Sequence, residues 1–130
     1  MQNEPRLIAV VDDDESVREA TKGLIRSMGF AAEAFPSGED FLRSPHLSWA
    51  ACLVTDVNMP GMSGFDLYHR VAALPKSIPT ILMTAYPNDK VRECALSAGI
   101  VCYLVKPFSE GELLNCIGSV VSLEGDGGGA

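Results

Sequence analysis

The chain has 130 residues, 47% of them hydrophobic and 21% charged, a composition that allows one globular domain with its own core. No apolar run approaches the roughly 20 residues of a membrane-spanning helix and the N-terminal MQNEPR lacks a signal peptide's apolar stretch, so the expectation is a cytoplasmic protein without membrane contact. A net charge of −7, with Lys and Arg scattered, argues against a nucleic-acid surface on this chain, and any DNA contact would be made elsewhere.

Short apolar runs alternate with amphipathic stretches, the pattern of repeated strand-helix units and of a parallel sheet covered on both faces. The first strand is Leu7–Val11, continuously apolar as a strand buried on both faces should be. Asp12, Asp13, Asp14 and Glu15 follow it. Val17, Ala20, Leu24, Ile25 and Met28 then recur at helical spacing and predict a helix from about Glu15 to Met28, stopped by Gly29. The second strand, Ala31–Phe35, alternates more and suits an edge, and Ser37-Gly-Glu-Asp behind it is a weak capping signal.

The third strand is Ala51–Thr55, followed by Asp56. Ser63-Gly-Phe-Asp weakly caps a helix from about Gly64 to Leu74, and Pro75 and Pro79 punctuate the turn into the fourth strand, Thr80–Thr84. A helix from about Asn88 to Ala98 ends at Gly99, and the fifth strand, Cys102–Val105, is followed by Lys106. Ser109-Glu-Gly-Glu112 is a capping box for a final helix, Glu110 to Val121. The domain is therefore read as residues 1–123, and the glycine-rich residues 124–130 as a flexible tail or linker. Cys52, Cys94, Cys102 and Cys116 match neither CxxC nor a zinc spacing and read as small hydrophobes, while His46 and His69 lack companion ligands and read as surface residues.

The chemistry lies where the apolar runs stop. Asp12, Asp13, Asp56, Thr84 and Lys106 each follow or close a strand, and in a parallel α/β sheet those carboxyl ends line one crevice. One or two acids would suffice to stabilise the N-terminus of the first helix, and this run has more. Carboxylates gathered in one crevice repel each other unless a cation compensates, and a divalent metal is the simplest remedy. Magnesium suits the set, because it takes a few carboxylate oxygens and completes its shell with water and phosphate. Asp56 can then attack phosphorus, with Lys106 as the opposing point charge and the Thr84 hydroxyl as a hydrogen-bond donor.

At these residues the chain resembles the receiver domain of bacterial two-component response regulators. VVDDDESVRE is similar to the family's acidic first-strand motif, VTDVNMPGMSG to its phosphoacceptor segment, ILMTA to its Thr-small pair and YLVKPF to its Lys-Pro motif. All four occur in the family's order, over about Arg6 to Leu123. The resemblance implies a flavodoxin-like (CheY-like) fold, a doubly wound five-stranded parallel sheet of order 2-1-3-4-5 with five helices. It implies that Asp13 and Asp56 ligate Mg2+ directly, Asp12 partly through water, with the Asn58 backbone carbonyl as a further ligand. Asp56 would receive a phosphoryl group from a phosphohistidine on a sensor histidine kinase or phosphotransfer protein, and Thr84 and Lys106 would bind it.

By the same resemblance the chain is a signalling domain, not an enzyme with turnover, although it catalyses its own phosphorylation and dephosphorylation. Tyr103 holds the place of an aromatic switch that moves with Thr84 and alters the face made by helix four, strand five and helix five, through which a homodimer would form on phosphorylation. Asn58 and Tyr86 hold the positions that tune phosphoryl lifetime, with the Tyr86 ring hindering the attacking water. The Lys106-Pro107 bond is cis in relatives, and the sequence leaves its isomer open. DVNMPGMSG is closer to receivers that precede transcription domains than to the chemotaxis type. Two competing readings are weaker. A phosphatase of the haloacid-dehalogenase class would need an acid where Asn58 stands, and a receiver-fold protein-binding module that works without phosphorylation would be expected to lack one of the acids, the Thr or the Lys.

Overall fold

The computed structural model describes residues 6–129, with side chains described through residue 120. The MQNEP segment, read above for the absence of a leader, and Ala130 lie outside the described residues. The elements are β1 (Leu7–Val11), α1 (Glu15–Ser27), β2 (Ala31–Phe35), α2 (Gly38–Leu42), β3 (Ala50–Asp56), α3 (Gly64–Ala72), β4 (Thr80–Thr84), α4 (Asp89–Ala98), β5 (Cys102–Val105) and α5 (Glu110–Gly129). A short 3-10 turn, Pro45–Trp49, precedes β3.

The five strands form one sheet in the order β2-β1-β3-β4-β5, and every neighbouring pair is parallel. From β1 the chain winds outward to β2 on one side, and from β3 it winds to β4 and β5 on the other. The gap between the two directions is the switch point at which open α/β sheets bind ligands, at the carboxyl ends of the strands. β1 explains why its run had to be apolar throughout. Ile8 and Val10 face a core layer with Ile25 of α1 and with Leu113 and Ile117 of α5. Leu7, Ala9 and Val11 face the opposite layer, with Phe41, Leu67 and Val71. This two-residue alternation in a strand covered on both sides leaves no position for a polar side chain until Asp12. Under α4 the cluster is smaller, Leu82, Ala95 and Ile100, and Ala95 is the buried residue of that helix.

Capping sets the helix boundaries. Asp14 caps α1 by accepting from the Val17 N–H at 3.1 Å, so one member of the acidic run serves the helix and its neighbours are left for other work. Met28 is the C-cap and Gly29 follows at φ +98, in the left-handed region where glycine is favoured. Ser63 and Asp66 form a reciprocal capping box, stronger than the sequence signal suggested, and Ser109 and Glu112 form the expected one. Asn88 is the cap of α4 rather than its first residue.

Other boundaries also differ from expectation. β3 extends past both predicted ends, which makes Asp56 a ladder residue paired with Met83. α3 stops at Ala72 with Ala73 as its cap, short of Leu74. The backbone of α5 stays helical past Val121 to Gly129. Its glycines each cost about 1 kcal/mol against alanine, but no proline is present to block the hydrogen bonds.

Of the cysteines, Cys52 and Cys116 are buried and Cys102 half-buried, while Cys94 is exposed because α4 turns that position away from Ala95 and the sheet. Burial and a neighbouring Cys102 push the Cys116 thiol up to about 12, which keeps it protonated. His69 is exposed, whereas His46 is half-buried between the rings of Phe35 and Trp49. Among the described residues no helix is long and apolar enough to cross a membrane.

Candidate functional site

Four adjacent strand ends, those of β1, β3, β4 and β5, deliver the site. Asp12 still belongs to the β1 ladder through its N–H, which donates to the Phe35 carbonyl at 3.2 Å, and its side chain is fully buried. One carboxylate oxygen, Oδ1, accepts from the Asp14 N–H at 2.9 Å, and the other, Oδ2, accepts from Lys106 Nζ at 2.8 Å. Asp56, the last residue of β3, is 6% exposed, and its Oδ1 lies 3.4 Å from the same ammonium. Asp13 sits at the exposed mouth. Oxygens of Asp12, Asp13 and Asp56 all lie within 4.8 Å of one another. Three carboxylates thus face one ammonium. The uncompensated negative charge and the all-oxygen donor set fit a hard divalent cation.

Electrostatics follow from this crowding. Burial pushes the Asp56 carboxyl above its ordinary range and the Asp12 charge adds to the push, while Lys106 and the Asn58 backbone amide pull in the opposite direction and lose. For Lys106 the balance reverses. Burial works against its charge, but the hydrogen bond and charge of Asp12, joined by Asp56, outweigh it and hold the ammonium above its usual range. A carboxyl raised on folding costs stability once ionised, from pH 3.8 upward through its folded value. In metal-free buffer at pH 7, Asp56→Asn is therefore expected to melt higher than the parent. Thermal melts from pH 7 downward should show the gap closing as the parent's carboxyl takes up its proton.

Thr84, at the end of β4, is 1% exposed. Its Oγ1 accepts from the Tyr86 N–H at 2.9 Å and donates to Asn58 Oδ1 at 3.2 Å. Tyr86 itself is 76% exposed, and its backbone N–H ties it to Thr84 at the site. Tyr103, on β5, is half-buried against Leu82, Ala95 and Ile100, and its Oη accepts from the Asn88 N–H at 3.4 Å, at the first turn of α4. The Lys106-Pro107 bond is cis, and the Lys106 N–H donates to the Thr84 carbonyl at 2.8 Å.

The polar residues expected at the strand ends are thus brought together, with Tyr86 and Tyr103 on the flank toward α4. Two contributors had escaped the sequence reading. Arg18, in the second turn of α1, donates from Nη1 to the Asp12 carbonyl at 3.0 Å and braces the acidic loop. A lone arginine four residues beyond a helix cap carries no signal of that contact. The second is not a new residue but a new contact, the hold of the Asn58 side chain on Thr84, which depends on two loops meeting. Gly64 completes the site from behind. Its N–H donates to the Val57 carbonyl at 3.0 Å, and a Cβ there would collide with the Asp56 carbonyl oxygen and meet Val57 Cα at 3.0 Å.

A family model described as the response regulator receiver domain matches residues 8–118. The response regulator protein TodT of Pseudomonas putida is 37% identical over 123 residues, which cover 95% of this chain and 54% of TodT. The transcriptional regulatory protein FixJ of Bradyrhizobium diazoefficiens is 35% identical over 115 residues, covering 88% of this chain and 56% of FixJ. The solved structure of the response regulator StyR superposes with a TM-score of 0.84 at 37% identity, over 95% of this chain and 62% of StyR. A receiver domain protein from Clostridium thermocellum, at 22% identity, shares the fold with a TM-score of 0.85 over 92% of this chain and 96% of its own. The chain spans about half the length of the curated relatives it matches.

Proposed function

Because this chain belongs to the response regulator receiver domain family, we propose that it is the phosphoacceptor module of a two-component system, with Asp56 as the nucleophile. The observation that carries the reading is the placement of one Asp56 oxygen 3.4 Å from Lys106 Nζ, inside a cluster of acid oxygens within 4.8 Å of one another. The carboxylate attacks phosphorus in line, an O–P bond forms, the N–P bond of a phosphohistidine breaks, and the imidazole leaves with a proton. The donor is a sensor histidine kinase or a phosphotransfer protein. Asp13, Asp56 and the Asn58 carbonyl would hold Mg2+ directly and Asp12 partly through water; the ion would supply charge neutralisation on the phosphoryl oxygens. Lys106 stays beside Asp56 and offsets the charge the carboxylate gains. Thr84 donates a hydrogen bond from its hydroxyl to a phosphoryl oxygen, and Tyr103 follows it, which alters the α4-β5-α5 face.

That face suits an output. Leu96 of α4, Val101, Val105 of β5 and Leu114 of α5 are all large apolar residues left exposed. We read it as a surface for a homodimer formed on phosphorylation or for a partner. FixJ bears the name of a transcriptional regulator, and transcriptional output through a further domain, joined by residues 124–130, is the reading we extend to the full protein in the cytoplasm. Tyr86 and Asn58 tune how long the phosphoryl group stays. We expect the parent's adduct to decay more slowly than that of Tyr86→Glu, and equal or faster decay measured by mass spectrometry would count against the ring's role.

The experiment is incubation with acetyl phosphate and Mg2+ followed by the mass of the intact protein. The parent should carry one phosphoryl adduct, lost in Asp56→Asn and lost when EDTA replaces Mg2+. A parent with no adduct under these conditions would overturn the reading in favour of a module that binds partners unphosphorylated. Retention of every acid, the Thr and the Lys is what disfavours that alternative.

A further inference from the structure

A hydroxyl has one proton to give, and in this structure the proton of Thr84 is already committed. Thr84 Oγ1 donates to Asn58 Oδ1 at 3.2 Å while it accepts from the Tyr86 N–H at 2.9 Å. Thr84 is 1% exposed, so water cannot readily take over either bond, and a hydroxyl stranded there would be costly. Resting on the phosphoacceptor reading, we propose that the Asn58 side chain is a clamp that holds Thr84 in the resting state and must release it before the hydroxyl can serve a phosphoryl group on Asp56.

The two arrangements exclude each other, since one proton cannot satisfy both the Asn58 amide oxygen and a phosphoryl oxygen. This makes Thr84 a two-position element, and Asn58 biases it toward rest. Asn58 is also placed to sense the other position, because it lies two residues beyond Asp56 in the loop that leaves β3. The same hydroxyl ties the loop after β3, through Asn58, to the loop after β4, through Tyr86. Release of the clamp therefore frees the segment leading into α4 from the acid cluster. A hydrogen bond to a charged phosphoryl oxygen is roughly twice as strong as the neutral bond it replaces, so the exchange runs forward once the group is bound.

Asn58→Ala removes the clamp and leaves the backbone amide and carbonyl in place. The probe is beryllofluoride with Mg2+, followed through the amide resonances of Tyr86 and Asn88. Asn58→Ala should lower the dissociation constant roughly threefold to tenfold, the range expected for one net hydrogen bond no longer opposing the change. In a Thr84→Val background, which has no hydroxyl to clamp, Asn58→Ala should change the constant by less than about twofold. A constant that is unchanged or higher in Asn58→Ala, or the same gain in the Thr84→Val background, overturns the clamp and leaves the phosphoacceptor reading standing. A parent that takes up no beryllofluoride overturns both.

Discussion

Lys106→Met is expected to destabilise the metal-free protein by about 3 kcal/mol at pH 7, because it removes the ammonium that, among the described residues, faces a fully buried Asp12 and a nearly buried Asp56. The pH dependence identifies the cause. The Lys106 pKa is raised on folding, so its contribution is complete below 10.5 and is lost only as pH rises past its folded value. The deficit is therefore fully present at neutral pH. On acidification it should shrink, because the variant's Asp56, already raised in the parent and now without its ammonium, takes up a proton more readily than the unfolded chain does. Urea denaturation at pH 7 and near pH 5 measures both effects. The same substitution should tighten Mg2+ binding severalfold, since Nζ at 2.8 Å from Asp12 occupies oxygens that a cation would use. A variant as stable as the parent at pH 7 would mean that the carboxylates are not held by this ammonium.

Much of this arrangement was legible because the strands are covered on both faces. A continuous apolar run such as LIAVV admits few alternatives, so its end, and the acid that follows, could be placed to the residue. β2, β4 and β5 were equally well bounded, and the topology that joins their ends came with the family motifs. What stayed hidden depended on contacts between segments distant in sequence. The inclusion of Asp56 in the β3 ladder requires Met83 as its partner. The 3-10 turn of Pro45–Trp49, capped by Ser44, is the exception, being set by local Ser-Pro chemistry. Cys94 shows the limit of reading burial from a locally apolar segment, for α4 buries one narrow stripe and that residue lies outside it. The Asn58 to Thr84 hydrogen bond spans 26 residues and two loops, beyond the reach of any spacing rule.

The second large effect concerns a residue with no side chain. Gly64→Ala should cost about 3 kcal/mol, because the new methyl group meets backbone on β3 and its following loop, which cannot rotate away as a flexible side chain could. The collision falls on the Asp56 carbonyl and Val57 Cα, so the strand end that carries the nucleophile has to shift. Slower phosphorylation by acetyl phosphate should accompany the lost stability, since a displacement on the order of 1 Å can cost a hundredfold in a reaction that depends on alignment. Gly23→Ala is the control, at a position where a Cβ meets nothing within 4 Å. On an exposed face of α1 it should be neutral or slightly stabilising. A Gly64→Ala protein as stable as the parent would show that β3 and α3 approach less closely than described.

The most direct measurement asks which carboxyl carries the phosphoryl group. Sodium borohydride reduces an acyl phosphate to an alcohol and so converts a phosphorylated aspartate to homoserine. After treatment with acetyl phosphate and Mg2+, then borohydride and proteolysis, peptide mass spectrometry should find homoserine at position 56 and nowhere else. Homoserine at position 12 or 13, or none at all, would contradict the assignment of Asp56 as the nucleophile.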